Sequence, residues 1–277
     1  MTIVATTTRG EIVAAKSPTG IIDGRQLRRS ILEQSHRAGV GHIGSALSIT
    51  DLVAAVVAAC PSVATENPHR DRFVLSKGHA SLAWYAALEA LGVISTAELN
   101  SFCADGSTIG VHPEAHTRGV EFSTGSLGMG LSYATGTALA AKLLGEKSRT
   151  AVIMSDAECN EGITWEAAAF ASQHKLDRLV VIVDDNKQQA LGSTNNILDQ
   201  SQLAERWKAF GWEVVVCDGH DVDLLAGYIE SVTPGKPTAV VAQTIFGYGV
   251  PYMERQLAWH YLPMTTVEFE LAMSELG

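Results

Sequence analysis

The stretch MSDAECNEGITWEAAAFASQHKLDRLVVIVDDNKQQ, Met154–Gln189, decides how the rest of the chain is read. It opens on the tail of an apolar run, TAVIMS, crosses the helical pattern of TWEAAAFASQHKL and ends on a second apolar run, LVVIVD. Runs that are apolar at successive positions, not at alternate ones, fit strands covered on both faces, the habit of parallel sheets. Asp156 closes the first run and the pair Asp185-Asn186 closes the second.

Two more β-branched runs follow, EVVVCD and TAVVAQTI, with the helical stretches LAERWKAFG and DVDLLAGYIES between strands. The alternation predicts an α/β fold, a doubly wound, mostly parallel sheet with helices on both faces and right-handed crossovers. In the first half, RQLRRSILEQSHRA has helical spacing and stops at Gly39, while LVAAVVAAC forms another helix for which Thr50 or Asp51 is placed as cap. DRFVLS reads as a short strand, KGHA as a turn, and LAWYAALEALG and SYATGTALAAKLLGE as helices. Residues 1–20 are small and weakly patterned, which predicts a loosely tethered arm ahead of one domain over 21–277.

Composition narrows the classes. A chain of 277 residues, 46% hydrophobic and 18% charged, fits one sizeable domain. A net charge of −10 disfavours nucleic acid, which needs a basic footprint, but allows an anionic small substrate in a locally basic pocket. The four cysteines, Cys60, Cys103, Cys159 and Cys217, are scattered, as reduced thiols are, with no CxxC pair for a zinc site. No long apolar run and no basic-then-apolar leader pattern suggests a membrane, so a soluble cytoplasmic protein is expected.

Ligands of open parallel sheets bind beyond the carboxyl ends of the strands, where Asp156 and Asp185-Asn186 stand. A carboxylate, an amide oxygen and a backbone carbonyl form a half-shell of hard donors suited to magnesium, which completes its octahedron with phosphate oxygens and water. The competing reading is that Asp156 and Asn186 cap the segments after them.

These residues lie inside a wider pattern. AGVGHIGSALS, DRFVLSKGHAS, VHPEAHTRGVEFSTGSLGMGLS, WKAFGWEV, DGHD, GKPTAVVAQT and GYGVPYMERQLAWH occur in order between about Leu27 and Ala272. In these motifs the chain resembles the diphosphate-binding part of the transketolases, thiamine-diphosphate enzymes, and more closely the amino-terminal subunit of split transketolases. The resemblance implies thiamine diphosphate held through Mg²⁺, with Ca²⁺ or Mn²⁺ able to stand in. Asp156, Asn186 and the main-chain carbonyl of Gln188 would be the metal ligands. Gly125, Ser126 and Leu127 of the GSLG turn, with Asp156, Ala157, Glu158, Asn186, His79 and His260, would contact the cofactor. His42 and His112 would meet the donor sugar's hydroxyls, and His79 and His260 would lie by the diphosphate and the reacting carbon. Imidazole suits such work because it exchanges protons near neutral pH. Glu161 and Glu166 would lie near a subunit interface and link paired active sites, against the plain alternative of surface charge. His36, His69, His174 and His220 need only surface or capping roles.

The chain departs from the family at three places. Ala157 replaces a glycine, Val111 replaces the glycine before His112-Pro113-Glu114, and Thr244–Gly249, TIFGYG, lacks the lysines of TxKGKG. Loss of cations at the site mouth would alter the choice of phosphorylated sugar. The resemblance further implies a missing pyrimidine-binding half, expected on a separate chain in an α₂β₂ heterotetramer. The activity implied is transfer of a two-carbon ketol unit from a ketose, as sugar phosphate, to an aldose or other aldehyde. Rivals on the same architecture are 2-oxo-acid decarboxylation, deoxyxylulose-phosphate-type synthesis, and a non-catalytic assembly subunit.

Overall fold

The computed structural model describes residues 22–277, so the arm expected over 1–20 lies outside the described residues. In chain order the elements are α1 (Gly24–Ala38), α2 (Ile43–Ser48), α3 (Thr50–Ala59), β1 (Arg72–Leu75), α4 (Ser81–Ala90), α5 (Thr96–Leu99), α6 (Met129–Leu143) and β2 (Thr150–Ser155). There follow α7 (Gly162–Gln173), β3 (Leu179–Asp185), β4 (Gln188–Gln189), β5 (Gly192–Ser193), α8 (Thr194–Ile197), α9 (Leu203–Ala209), β6 (Glu213–Asp218), α10 (Val222–Glu230), β7 (Thr238–Gln243) and α11 (Thr266–Glu275). Five strands form one parallel sheet in the order β1-β2-β3-β7-β6, and β4 and β5 make a small antiparallel hairpin.

The pleat divides each central strand between two cores. Ala151, Ile153, Val180, Ile182, Val240 and Ala242 face a cluster built with α1, α3, α4 and α10. Val152, Met154, Val181, Val183, Ala239 and Val241 face a second cluster built with α6, α7 and α9. Every residue of β2 and β3 is buried, as their unbroken apolar runs predict. Strand β6 breaks that expectation: it is the sheet edge, and Val216 is 51% exposed.

Helix α1 starts at Asp23, whose carboxylate accepts from the Arg25 N–H at 2.9 Å, and stops at Gly39, which takes the left-handed φ of 63°. The caps expected for α3 are corrected. Because α2 abuts it, α3 begins inside a nearly continuous helical run, and its N-cap is Ile49 without a side-chain bond. Thr50 instead donates back to the Ala46 carbonyl at 3.1 Å, and Asp51 turns away to Arg28 and His220. All four cysteines are free. Among the described residues no helix is long and apolar enough to cross a membrane.

Candidate active site

The parallel register sets Ser155 opposite Asp184, so the residues that leave β2 and β3 emerge side by side. Asp156 is 0% exposed. Its Oδ2 accepts from the Thr194 hydroxyl at 2.6 Å, and its carbonyl accepts from Gln200 Nε2 at 2.7 Å. Its Oδ1 is buried with no hydrogen-bond partner among the described residues. Burial, then the nearby Asp184 and Asp185, outweigh the Thr194 bond and push its carboxyl up to about 7. Asn186 lies alongside, buried; its Oδ1 accepts from the Gln188 N–H at 2.9 Å. Gln188 opens the β4–β5 hairpin, which folds back so that α8 delivers Thr194 to Asp156. Of the Asp185-Asn186 pair, only Asn186 joins this corner. Asp185 is held by Lys187 Nζ, which donates to its Oδ1 at 2.7 Å.

Asp184, not singled out by spacing, is the fully bonded group of the region. It is 0% exposed and accepts from Lys77 Nζ, from Asn186 Nδ2 at 2.9 Å, from Ser48 Oγ at 2.8 Å and from Thr244 Oγ1. Lys77 is itself 1% exposed.

Three of the four singled-out loop histidines converge. Ring centroids are 5.3 Å apart for His42 and His79, 5.1 Å for His42 and His260, and 5.4 Å for His79 and His260. His42 holds a left-handed φ of 61° at the start of α2, a costly conformation for a residue with a Cβ. Desolvation lowers all three imidazoles, assisted by Lys77: His42 is lowered, His79 well below its usual range, and His260 to about 4. They are neutral at neutral pH. The Nδ1 atoms of His42 and His260 are buried without partners among the described residues.

His112 is exposed, in a cleft of about 400 Å³ shared with Thr124, Gly125, Ser126 and Met129, and its charge acts on His42 and His79. Gly125 and Ser126 are exposed there and Leu127 is half-buried. The following Gly128 N–H is committed to Glu158 Oε1 at 2.9 Å. Glu158 is wholly buried, and its carboxylate also accepts from the Ser155 N–H at 2.8 Å and from Ser76. It thereby ties the GSLG turn to the ends of β1 and β2, and burial raises its carboxyl. Ala157 is not among the residues with positive φ, so alanine fits where the family carries glycine. Glu161 and Glu166, at the start and within the first turns of α7, are exposed.

The departures in TIFGYG turn inward. Phe246 is 1% exposed, so its position is not at an open mouth as expected. Its ring fills the space over Gly44, where a Cβ would lie 2.2 Å from Phe246 Cε1, and it stacks on His260 at 6.0 Å. Tyr248 stacks on His220 at 3.5 Å, and the Arg28 guanidinium lies 4.8 Å from the tyrosine ring centroid. His220 carries more than a surface role. Its Nε2 accepts from the Ile245 N–H at 3.0 Å, which leaves Nδ1 to donate to Asp51 at 2.8 Å, and Asp51 also binds Arg28. The other histidines are peripheral: His36 stacks on Phe269, His174 on Phe170, and His69 pairs with Glu146. A larger cleft, about 500 Å³, lies before β1 beside Arg70 and Arg118, away from the strands' carboxyl ends. Both guanidiniums are paired, with Glu121 and Glu98.

A doubly wound sheet carrying unsatisfied oxygen and imidazole groups at its carboxyl edge defines an α/β protein built around a cofactor site. The chain belongs to the family described as transketolase, thiamine diphosphate binding domain, whose model matches residues 24–277. It is 40% identical over 260 residues to one of the subunits of the apulose-4-phosphate transketolase of Actinobacillus succinogenes, covering 91% of this chain and 94% of that one. It is 37% identical over 256 residues to the 6-deoxy-6-sulfo-D-fructose transketolase subunit SqwG of a Clostridium strain, covering 90% and 92%. The solved transketolase of Campylobacter jejuni superposes with a TM-score of 0.84 at 28% identity, over 92% of this chain and 42% of that chain. The chain thus spans nearly all of the subunit relatives and less than half of the solved transketolase.

Proposed function

We propose that this chain is the diphosphate-binding subunit of a two-chain, thiamine-diphosphate- and Mg²⁺-dependent transketolase, working in the cytoplasm as an α₂β₂ assembly. The observation that carries the reading is the buried Asp156 Oδ1, without a hydrogen-bond partner among the described residues, set beside Asn186 at the end of the neighbouring strand. A buried carboxylate oxygen left unbonded is costly, and a divalent cation removes that cost. Asp156, Asn186 and the Gln188 carbonyl would hold Mg²⁺, and the ion would hold the diphosphate. The exposed Gly125-Ser126 backbone and half-buried Leu127 line the approach.

Thiamine diphosphate, when bound, supplies a carbon nucleophile and an electron sink for cleaving and forming the bond beside a carbonyl. The chain's own work is proton handling and orientation. His42, His79 and His260, neutral through burial, each keep one nitrogen to accept a proton and one to donate, as a sugar hydroxyl requires when it loses its proton on C–C cleavage and regains it on C–C formation. Exposed His112 would orient the ketose at the cleft, and the neighbouring subunit would close over it. Glu161 and Glu166 are free to meet that second chain, and the naming of both relatives as transketolase subunits supports its existence. Those relatives' names also support a ketose bearing an anionic end group, phosphate or sulfonate, as the donor.

Calorimetric titration with thiamine diphosphate and Mg²⁺, with and without the partner, tests the reading. Binding that requires Mg²⁺, and ketol transfer only when both chains are present, is the expected result. Full transfer by this chain alone overturns the two-chain assignment, and turnover of pyruvate in preference to ketoses overturns the reaction class.

A further inference from the structure

The carboxamide of Asn186 presents its oxygen in one direction only, and its neighbours decide which. A carboxylate accepts and never donates, so the group facing Asp184 Oδ2 at 2.9 Å must be the amide nitrogen. A backbone N–H donates and never accepts, so the group facing Gln188 N at 2.9 Å must be the amide oxygen. Ser48 reinforces the choice: its hydroxyl gives its proton to Asp184 Oδ1 at 2.8 Å and accepts from Asn186 Nδ2 at 3.2 Å. Turning the amide by half a rotation would set nitrogen against N–H and oxygen against carboxylate, and would lose these bonds together.

Asp184 has no capacity left for any other role. Its two oxygens take donors from Ser48 at the end of α2, Lys77 after β1, Asn186 after β3 and Thr244 after β7. Four donors fill the acceptor capacity of one carboxylate, so it is excluded as a metal ligand although it lies beside Asp156 in the sheet. The buried Lys77 ammonium balances its charge.

From this arrangement we infer that Asp184 and Ser48 are positioning residues, which hold Asn186 so that its oxygen, not its NH₂, faces the cation. The inference rests on the metal reading above and adds residues outside the ligand set. Partners that orient metal ligands in this way typically contribute 10- to 100-fold in metal affinity, roughly as much as a poor ligand does.

The test is a double-mutant cycle read in Mg²⁺ affinity. Mg²⁺ is titrated calorimetrically in saturating thiamine diphosphate, using the full chain with its partner subunit. Asp184→Asn should weaken Mg²⁺ by about 10- to 100-fold, because an amide at 184 can itself donate and no longer dictates the orientation of Asn186. Ser48→Ala, which keeps the Lys77 pair, should weaken it by about 3- to 10-fold. In an Asn186→Ala background, each change should have at most about a twofold effect, since the group it orients is gone. Unchanged Mg²⁺ affinity in both single variants overturns the inference, as does full additivity with Asn186→Ala, the mark of a merely structural role. If thermal melting shows Asp184→Asn unfolded, the Ser48→Ala arm decides alone. A parent complex that binds thiamine diphosphate without regard to Mg²⁺ overturns the metal reading and this inference with it. A Mg²⁺-dependent parent with indifferent variants overturns only this inference.

Discussion

Asp156→Asn should make the metal-free chain more stable while destroying its capacity to keep the cofactor. The parent carboxylate is 0% exposed, with Oδ2 bonded to Thr194 and Oδ1 without a partner among the described residues. Its pKa of about 7 in the fold exceeds the ordinary 3.8. A group raised in the folded state contributes stability that is fully present below the unfolded pKa and lost as pH rises through the folded one. The rise of roughly three units corresponds to about 4 kcal/mol at pH 8 and about 2 kcal/mol at pH 5. Asparagine keeps the oxygen that Thr194 needs and carries no charge, but its NH₂ lacks an acceptor, which returns about 1–3 kcal/mol. The variant should therefore exceed the parent by about 1–3 kcal/mol at pH 8, with the difference about 2–3 kcal/mol smaller at pH 5. Urea unfolding in chelator at the two pH values measures this. Adding thiamine diphosphate and Mg²⁺ at 100 times the dissociation constant should stabilise the parent by about 2.7 kcal/mol and leave the variant unmoved, narrowing or reversing the order. A variant no more stable than the parent at pH 8 in chelator refutes the reasoning.

Three further outcomes follow from the same region. Phe246→Ala, which empties a site 1% exposed against Gly44, should cost about 3–5 kcal/mol in urea unfolding; a cost below about 1 kcal/mol would mean the ring is not packed there. His260 should stay neutral down to about pH 4 in the metal-free chain, seen as imidazole NMR shifts that hold still between pH 8 and 5. Because its folded pKa lies below the ordinary 6.5, stability present above 6.5 should decline as pH falls through about 4, and a midpoint near 6.5 contradicts the burial argument. Arg28→Met removes the cation from a buried pair whose side chains are 9% and 8% exposed, and should cost about 3–5 kcal/mol, with His220 resonances shifting as the Ile245 loop loosens.

The sheet is legible in the sequence because its signal is local. Four apolar runs in the second half and DRFVLS in the first match strands within a residue or two; for β2 and β3 burial on both faces leaves no polar positions to confuse the reading, and at the exposed edge β6 the β-branched run VVV carries the signal. The β4–β5 hairpin is not legible: strands of two residues, QQ and GS, have no periodicity to read. Nor is the cap of α3, because nothing local tells Asp51 to abandon a helix start for Arg28, 23 positions earlier, or His220, 169 positions later. In the site, the resemblance draws attention to the loop histidines, and the fold brings His42, His79 and His260 together. Lys77 escapes notice because a lysine is by default exposed, and only the fold reveals the carboxylate that lets it be buried. The doublet Asp184-Asp185 carries a signal, two acids ending an apolar strand, but not which of them turns inward to Lys77.

What separates the proposed ligand from a scaffold group here is the filling of its hydrogen-bond capacity, a property that sequence does not display. Asp156 and Asp184 end adjacent strands and are both 0% exposed, so burial cannot tell them apart. Four donors saturate Asp184, whereas one oxygen of Asp156 has none. The same contrast divides the histidines. His220 uses both ring nitrogens to tie Asp51 to Ile245, while His42 and His260 each bury an Nδ1 without a partner among the described residues, as His36 does away from the site. Unsatisfied buried groups cost stability, and a cluster of them at one place calls for an ion, a water or a ligand to complete it. Asp156 and the two imidazoles share one edge of the sheet, where the motifs of the transketolase family also fall. That coincidence argues that this end of the domain is kept polar and unfinished for a ligand, and that the saturated Asp184 beneath it is what the edge is built upon.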